Sequence, residues 1–151
     1  MAGQGVIVLP GPAPAPDERL IVPKLVGGET AASIMMFEEF VPPGTKSTLH
    51  LHHDSDEVAY VLSGEVTFMI GGEVSTGGPG TIAFMPRGVA HCWKSTGAES
   101  GKVLFLYTPA RAGGLIEEQR RTGRKFADMS ESELAEMLDR HGWEMVGASP
   151  L

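Results

Sequence analysis

Turn residues set the rhythm of this sequence. Gly27-Gly28, Pro42-Pro43-Gly44, Ser63-Gly64 and Gly71-Gly72 cut the first two thirds into short segments. Leu20–Val26, Ala31–Val41, Thr48–His52, Glu57–Leu62, Val66–Ile70, Thr81–Met85, Ala90–Lys94 and Lys102–Thr108 all read as strands. Twenty glycines and eleven prolines supply the punctuation that many short strands need. Strands this short, joined by turns rather than helices, predict an all-β barrel or sandwich rather than a parallel α/β sheet.

The two ends differ from the middle. Residues 1–18 are expected to form an extended arm, because 10–16 read Pro-Gly-Pro-Ala-Pro-Ala-Pro and can support neither ladder nor helix. Residues 19–109 carry the barrel, and 110–151 a helical tail. In that tail Leu115–Arg121 reads as a short helix, and Ser130-Glu-Ser-Glu133 is a capping box opening a second. Arg140 and His141 suit the last turn of that helix, and Gly142 the position that stops it. Leu134, Met137 and Leu138 form one apolar stripe, expected against the barrel or a second subunit. Arg120-Arg121 and Arg124-Lys125 read as a solvated connection.

Charge and cysteine content narrow the partners. A net charge of −7 disfavours nucleic acid, whose phosphates need a basic face. The single Cys92 allows no internal disulfide and suits a reducing compartment. No apolar run approaches a membrane span, and Val6–Leu9 is too short for a signal-peptide core. A cytoplasmic protein acting on a small molecule is the expectation.

The histidines carry the chemistry. His50 and His52 lie two residues apart in strand-forming sequence, so both imidazoles share a face. The polar turn His53-Asp54-Ser55-Asp56 would reverse the chain and bring Glu57 opposite them. His91 follows Pro86-Arg87-Gly88, where a new strand would supply a fourth donor. Three imidazoles and a carboxylate suit a first-row divalent ion, namely iron, nickel, manganese, copper or zinc. By the same parity Thr48 joins the histidine face, Ala59 and Val61 that of Glu57, and Trp93 that of His91. Thr48 and Trp93 are therefore either pocket residues or plain barrel filling. His53 falls on the opposite face or in the turn, and Cys92 reads as a small buried hydrophobe. Of the adjacent Glu38 and Glu39, one should face inward, as a partner to a histidine or, more in keeping with their type, at an exposed rim.

With these residues in place, the sequence resembles the cupin superfamily. The first motif of that family stands complete as Gly44-x5-His50-x-His52-x4-Glu57-x6-Gly64, and the second as Gly80-x5-Pro86-x-Gly88-x2-His91. Ser95 departs from the asparagine that often closes the second motif. The resemblance covers roughly 31–109, and the tail is similar to that of single-domain relatives of flavonol (quercetin) dioxygenases. It implies a double-stranded β-helix, or jelly roll, with His50, His52, Glu57 and His91 as metal ligands.

The activity implied is that of a metal-dependent dioxygenase acting on an enol or flavonol-like substrate. Glu57 would take the substrate proton and Trp93 would help to exclude water. Two other readings share the same ligands: an oxygen-independent isomerase or lyase, and a barrel that binds a small molecule without turnover. Relatives dimerise by exchange at sheet edges, so a homodimer is expected, with the Pro-rich arm reaching a neighbour.

Overall fold

A computed structural model describes residues 4–11 and 13–151. Of the expected arm, residues 1–3 and Pro12 lie outside the described residues. The remainder up to Arg19 forms neither strand nor helix. Its end is tied to the barrel by the Ser100 hydroxyl, which donates to the Pro16 carbonyl at 2.7 Å.

Alternation between apolar and polar residues decides each strand. The strands are β1 (Leu20–Leu25), β2 (Met35–Val41), β3 (Leu49–His52), β4 (Asp56–Ser63), β5 (Val66–Ile70), β6 (Glu73–Gly77), β7 (Ile82–Met85), β8 (His91–Ser95), β9 (Gly101–Thr108) and β10 (Trp143–Gly147). They form two five-stranded sheets, ordered β1-β2-β9-β4-β7 and β10-β3-β8-β5-β6, with every pairing antiparallel. The result is an all-β jelly-roll barrel with two short C-terminal helices, α1 (Gly114–Thr122) and α2 (Glu131–Arg140).

Along β2, residues Met35, Phe37, Glu39 and Val41 point inward, and along β9 so do Val103, Phe105 and Tyr107. Phe37 and Phe105 stack with centroids 5.0 Å apart and planes inclined by 17°. Such a pair contributes about 1 kcal/mol beyond its burial.

Three elements depart from the sequence reading. The second strand begins at Met35 rather than Ala31, because Ala31 and Ala32 adopt positive φ in a turn where the Thr30 hydroxyl donates to the Ile34 carbonyl. Glu73–Gly77, too polar to read as a strand, pairs with β5 as the edge of its sheet. The tail does not end in helix: Trp143–Gly147 turns back and pairs with β3.

The capping box is formed as the sequence predicts. The Glu133 amide donates to Ser130 Oγ, and Glu133 accepts from the Ser130 amide. Met137 and Leu138 pack on Leu115 in a small second core, with Trp143 and Met145 against it. Among the described residues, no helix is long and apolar enough to cross a membrane.

Candidate metal centre

Strand parity brings His50 and His52 to the inner face of β3, Glu57 to that of β4 and His91 to that of β8. All four are buried. Their donor atoms lie within 4.8 Å of one another. His50 is the register partner of His91, and Glu57 is flanked by Tyr107 and Met85. The first-motif glycine Gly64 (φ +80°) lets the chain leave β4 against Gly101, where a Cβ would lie 2.6 Å from the Gly101 Cα.

The hydrogen bonds orient the rings. His50 Nδ1–H donates to the Thr48 carbonyl at 2.8 Å, and His91 Nδ1–H to the Val89 carbonyl at 3.0 Å. Both rings therefore turn Nε2 inward. His52 Nε2 and His91 Nε2 each lie 2.9 Å from Glu57 Oε2. With Nδ1 of His91 already protonated, an unprotonated Nε2 beside a carboxylate oxygen requires a positive charge between them, a proton or a metal cation. His52 Nδ1 is the one buried side-chain nitrogen or oxygen without a partner among the described residues.

Burial and the neighbouring His91 push the His50 imidazole down to about 4, leaving it neutral, as a ligand must be. Burial alone would raise the Glu57 carboxyl, but hydrogen bonds from His52 and His91 outweigh it and hold the group well below the usual carboxylate range. Burial also disfavours the His91 cation, yet the contact with Glu57 raises that imidazole overall. An anionic carboxylate among three inward-facing imidazoles, with donor atoms close enough together to share one ion at bonds of roughly 2.0–2.2 Å, fits a first-row divalent ion.

The cluster opens into a cavity of about 210 Å³. Trp93 lines it and is 4% exposed, whereas Thr48 is exposed at its mouth, with its hydroxyl donating to Met145 Sδ. His53 is exposed and away from the cluster, and Cys92 is buried behind β8. Ser95 is buried, with its hydroxyl donating to the Val41 carbonyl, a structural position clear of the ligands.

Trp143 is a cavity residue that the sequence does not point to, and Glu39 one whose inward direction, but not its burial, is expected. Trp143 covers His50 and His52, and its indole N–H donates to the Ala112 carbonyl. The expectation that the inward glutamate would sit at an exposed rim is corrected by Glu39, which is 3% exposed, lines the cavity and accepts from Arg19 Nε at 2.9 Å. Glu38 points outward, to Lys24 and Lys102. Strand parity could have separated the two had the start of β2 been known.

Residues 37–107 match the family profile described as Cupin domain. No curated protein matches the sequence. Among solved structures, TT1209 from Thermus thermophilus is 27% identical, with 63% of this chain and 87% of that one covered at a TM-score of 0.55. A protein named as a predicted oxalate decarboxylase, from Thermotoga maritima, is 22% identical (60% and 90% covered, TM-score 0.57). An uncharacterized conserved protein with a double-stranded beta-helix domain, from Klebsiella pneumoniae, is also 22% identical (65% and 83% covered, TM-score 0.55). The last two likenesses speak for the fold alone. The profile match over residues 37–107, the jelly-roll topology and the buried His50–His52–Glu57–His91 group agree with one another, and in this part the chain is similar to a cupin domain.

Proposed function

We infer that the protein is a metal-dependent dioxygenase-type oxidoreductase acting on a small enol or flavonol-like substrate. The observation that carries this reading is the convergence of His50, His52, Glu57 and His91, of which His50 and Glu57 line a cavity shared with Phe37, Trp93, Phe105 and Tyr107. A divalent metal held by these four side chains would polarise a substrate oxygen and open dioxygen chemistry to the site.

The chain's own residues supply the rest. Glu57 Oε2 is engaged by His52 and His91, while Oε1 has no hydrogen bond among the described residues and is free to take the substrate's enol proton. Phe37, Trp93 and Phe105 exclude water from the bound substrate and give a flat ring a surface to lie on. Trp143 closes the side above His50.

The presence of a second carboxylate, Glu39, in the same cavity favours one other reading, an isomerase or lyase that moves protons without oxygen. The test is oxygen uptake by fully metallated protein with flavonols and other chelating enols. Uptake lost in His52→Ala and His91→Ala supports the dioxygenase. No uptake at full metal occupancy overturns it, and turnover under anaerobic conditions would select the isomerase or lyase. The homodimer is likewise proposed, and sedimentation showing only monomer at micromolar concentration would remove it.

A further inference from the structure

The cavity has a second polar end. Glu39 is register partner to Val103 on β9, whereas Glu57 is register partner to Tyr107 on the same strand. Four residues of β-strand separate those levels, about 13 Å along the barrel wall. Phe105 lies between them, stacked on Phe37 and 5.6 Å from Trp93. The cavity thus runs from the histidine cluster, past an aromatic middle, to a buried carboxylate.

That carboxylate is half satisfied. Arg19 Nε donates to Oε2, and Oε1 has no hydrogen bond from any described residue although the side chain is 3% exposed and lines the cavity. Glu39 lines the cavity and its Oε1 is not sealed within the protein, so this oxygen can accept from a donor on whatever fills the space. Arg19, half-exposed at the cavity mouth, already balances the charge of Glu39 and leans over Trp93. An anion would meet the carboxylate and a cation would meet the guanidinium, which leaves a neutral donor as the favoured partner.

We propose that Glu39, held by Arg19, accepts a hydrogen bond from a hydroxyl at the end of the substrate remote from the histidine cluster. The substrate class is therefore a flat, mainly apolar molecule with an oxygen at one end and a hydroxyl at the other. This inference rests on the cavity being the substrate site and adds the group that sets substrate orientation. Burial pushes the Glu39 carboxyl up to about 7, partly offset by Arg19, so the acceptor is ionised in mildly alkaline buffer.

The experiment is calorimetric titration of the full-length metallated chain, in such buffer, with 2-naphthol and with 2-methoxynaphthalene, which lacks the donor. Wild type is expected to favour the naphthol about tenfold, the size of one hydrogen bond to a charged acceptor. Glu39→Gln keeps the shape but, with its oxygen on Arg19, turns an amide N–H toward the cavity, and the preference should vanish. Should that variant fail to fold, Glu39→Met carries the same expectation. A preference that persists in the variant overturns the proposal, as does a wild type that fails to distinguish the probes or binds neither. Oxygen uptake is a separate readout: its absence with the naphthol preference intact would remove the dioxygenase and leave Glu39 in this role.

Discussion

The indole of Trp143 lies flat on the imidazole of His50, with centroids 4.8 Å apart and planes inclined by 12°. The last strand of the chain thereby forms a wall of the metal centre. Trp143 also packs against both the barrel core and the small core under α2, so it joins the tail to the site physically.

Removing that ring should cost both stability and metal affinity. Trp143→Ala is expected to destabilise the fold by about 2–3 kcal/mol, measured by denaturant unfolding of metal-free protein. Trp143→Phe keeps a stacking ring and loses only the bond to the Ala112 carbonyl, at about 1 kcal/mol. Metal titration should show weaker binding in the alanine variant than in the phenylalanine one. Equal affinities would mean that His50 is held without the indole.

The motif glycines are not equivalent. Gly44 (φ +84°) has open space where a Cβ would stand, and Gly44→Ala should cost only its strained φ, about 1 kcal/mol. At Gly64 the added Cβ also meets the Gly101 backbone at 2.6 Å, so Gly64→Ala should cost about 3 kcal/mol or more. Thermal unfolding of the two variants checks the order. A Gly64→Ala protein as stable as Gly44→Ala would show that the β4–β9 crossing can relax.

Much of this site could be read from sequence because a strand has a period of two. His50 and His52 share a face by that rule alone, and so do His91 and Trp93. The rule fails where its input is missing. Glu38 and Glu39 necessarily face opposite ways, but which is inside depends on a strand start that the positive-φ turn at Ala31 and Ala32 displaces. Glu73–Gly77 is exposed along nearly all its length and carries no apolar signal, being a strand only because β5 offers it hydrogen bonds. Trp143–Gly147 is too short to outweigh the helical pattern before it, and only its pairing with β3 reveals Trp143 as a wall of the cavity. Thr48 has the parity expected of it, yet β3 begins one residue later and leaves it at the mouth.

Glu39 also sets a pH dependence. Its carboxyl, ordinarily near 4.5, is raised to about 7 in the folded protein, chiefly by burial, with Arg19 lowering it and Glu57 adding to the rise. The fold therefore favours the protonated form. The associated stability is present below about 4.5 and is lost as pH climbs through about 7. Glu39→Gln cannot ionise, so it should gain on wild type across that window, by up to about 3 kcal/mol. Urea unfolding at several pH values tests the sign. A difference between the two proteins that stays flat with pH would mean that Arg19 fully offsets the burial.

The metal should stabilise the barrel without being required for it. The core around Phe37, Val61, Val103 and Phe105 is continuous and needs no bridging ion, so chelated protein should keep its β-sheet circular dichroism and a cooperative melt. Binding to the folded state alone adds about 2.7 kcal/mol at a hundredfold excess of metal over Kd. In a chain of this length that amounts to a rise in Tm of about 5–10 °C. His52→Ala and His91→Ala should abolish the rise and lose the single equivalent of metal, whereas His53→Ala, changed at an exposed position next to His52 in sequence but away from the cluster, should retain both. The comparison with His53 is the discriminating one. A metal-dependent rise that survives in His52→Ala and His91→Ala would mean that the ion binds elsewhere, and the buried cluster would then be a network of protonated imidazoles around Glu57.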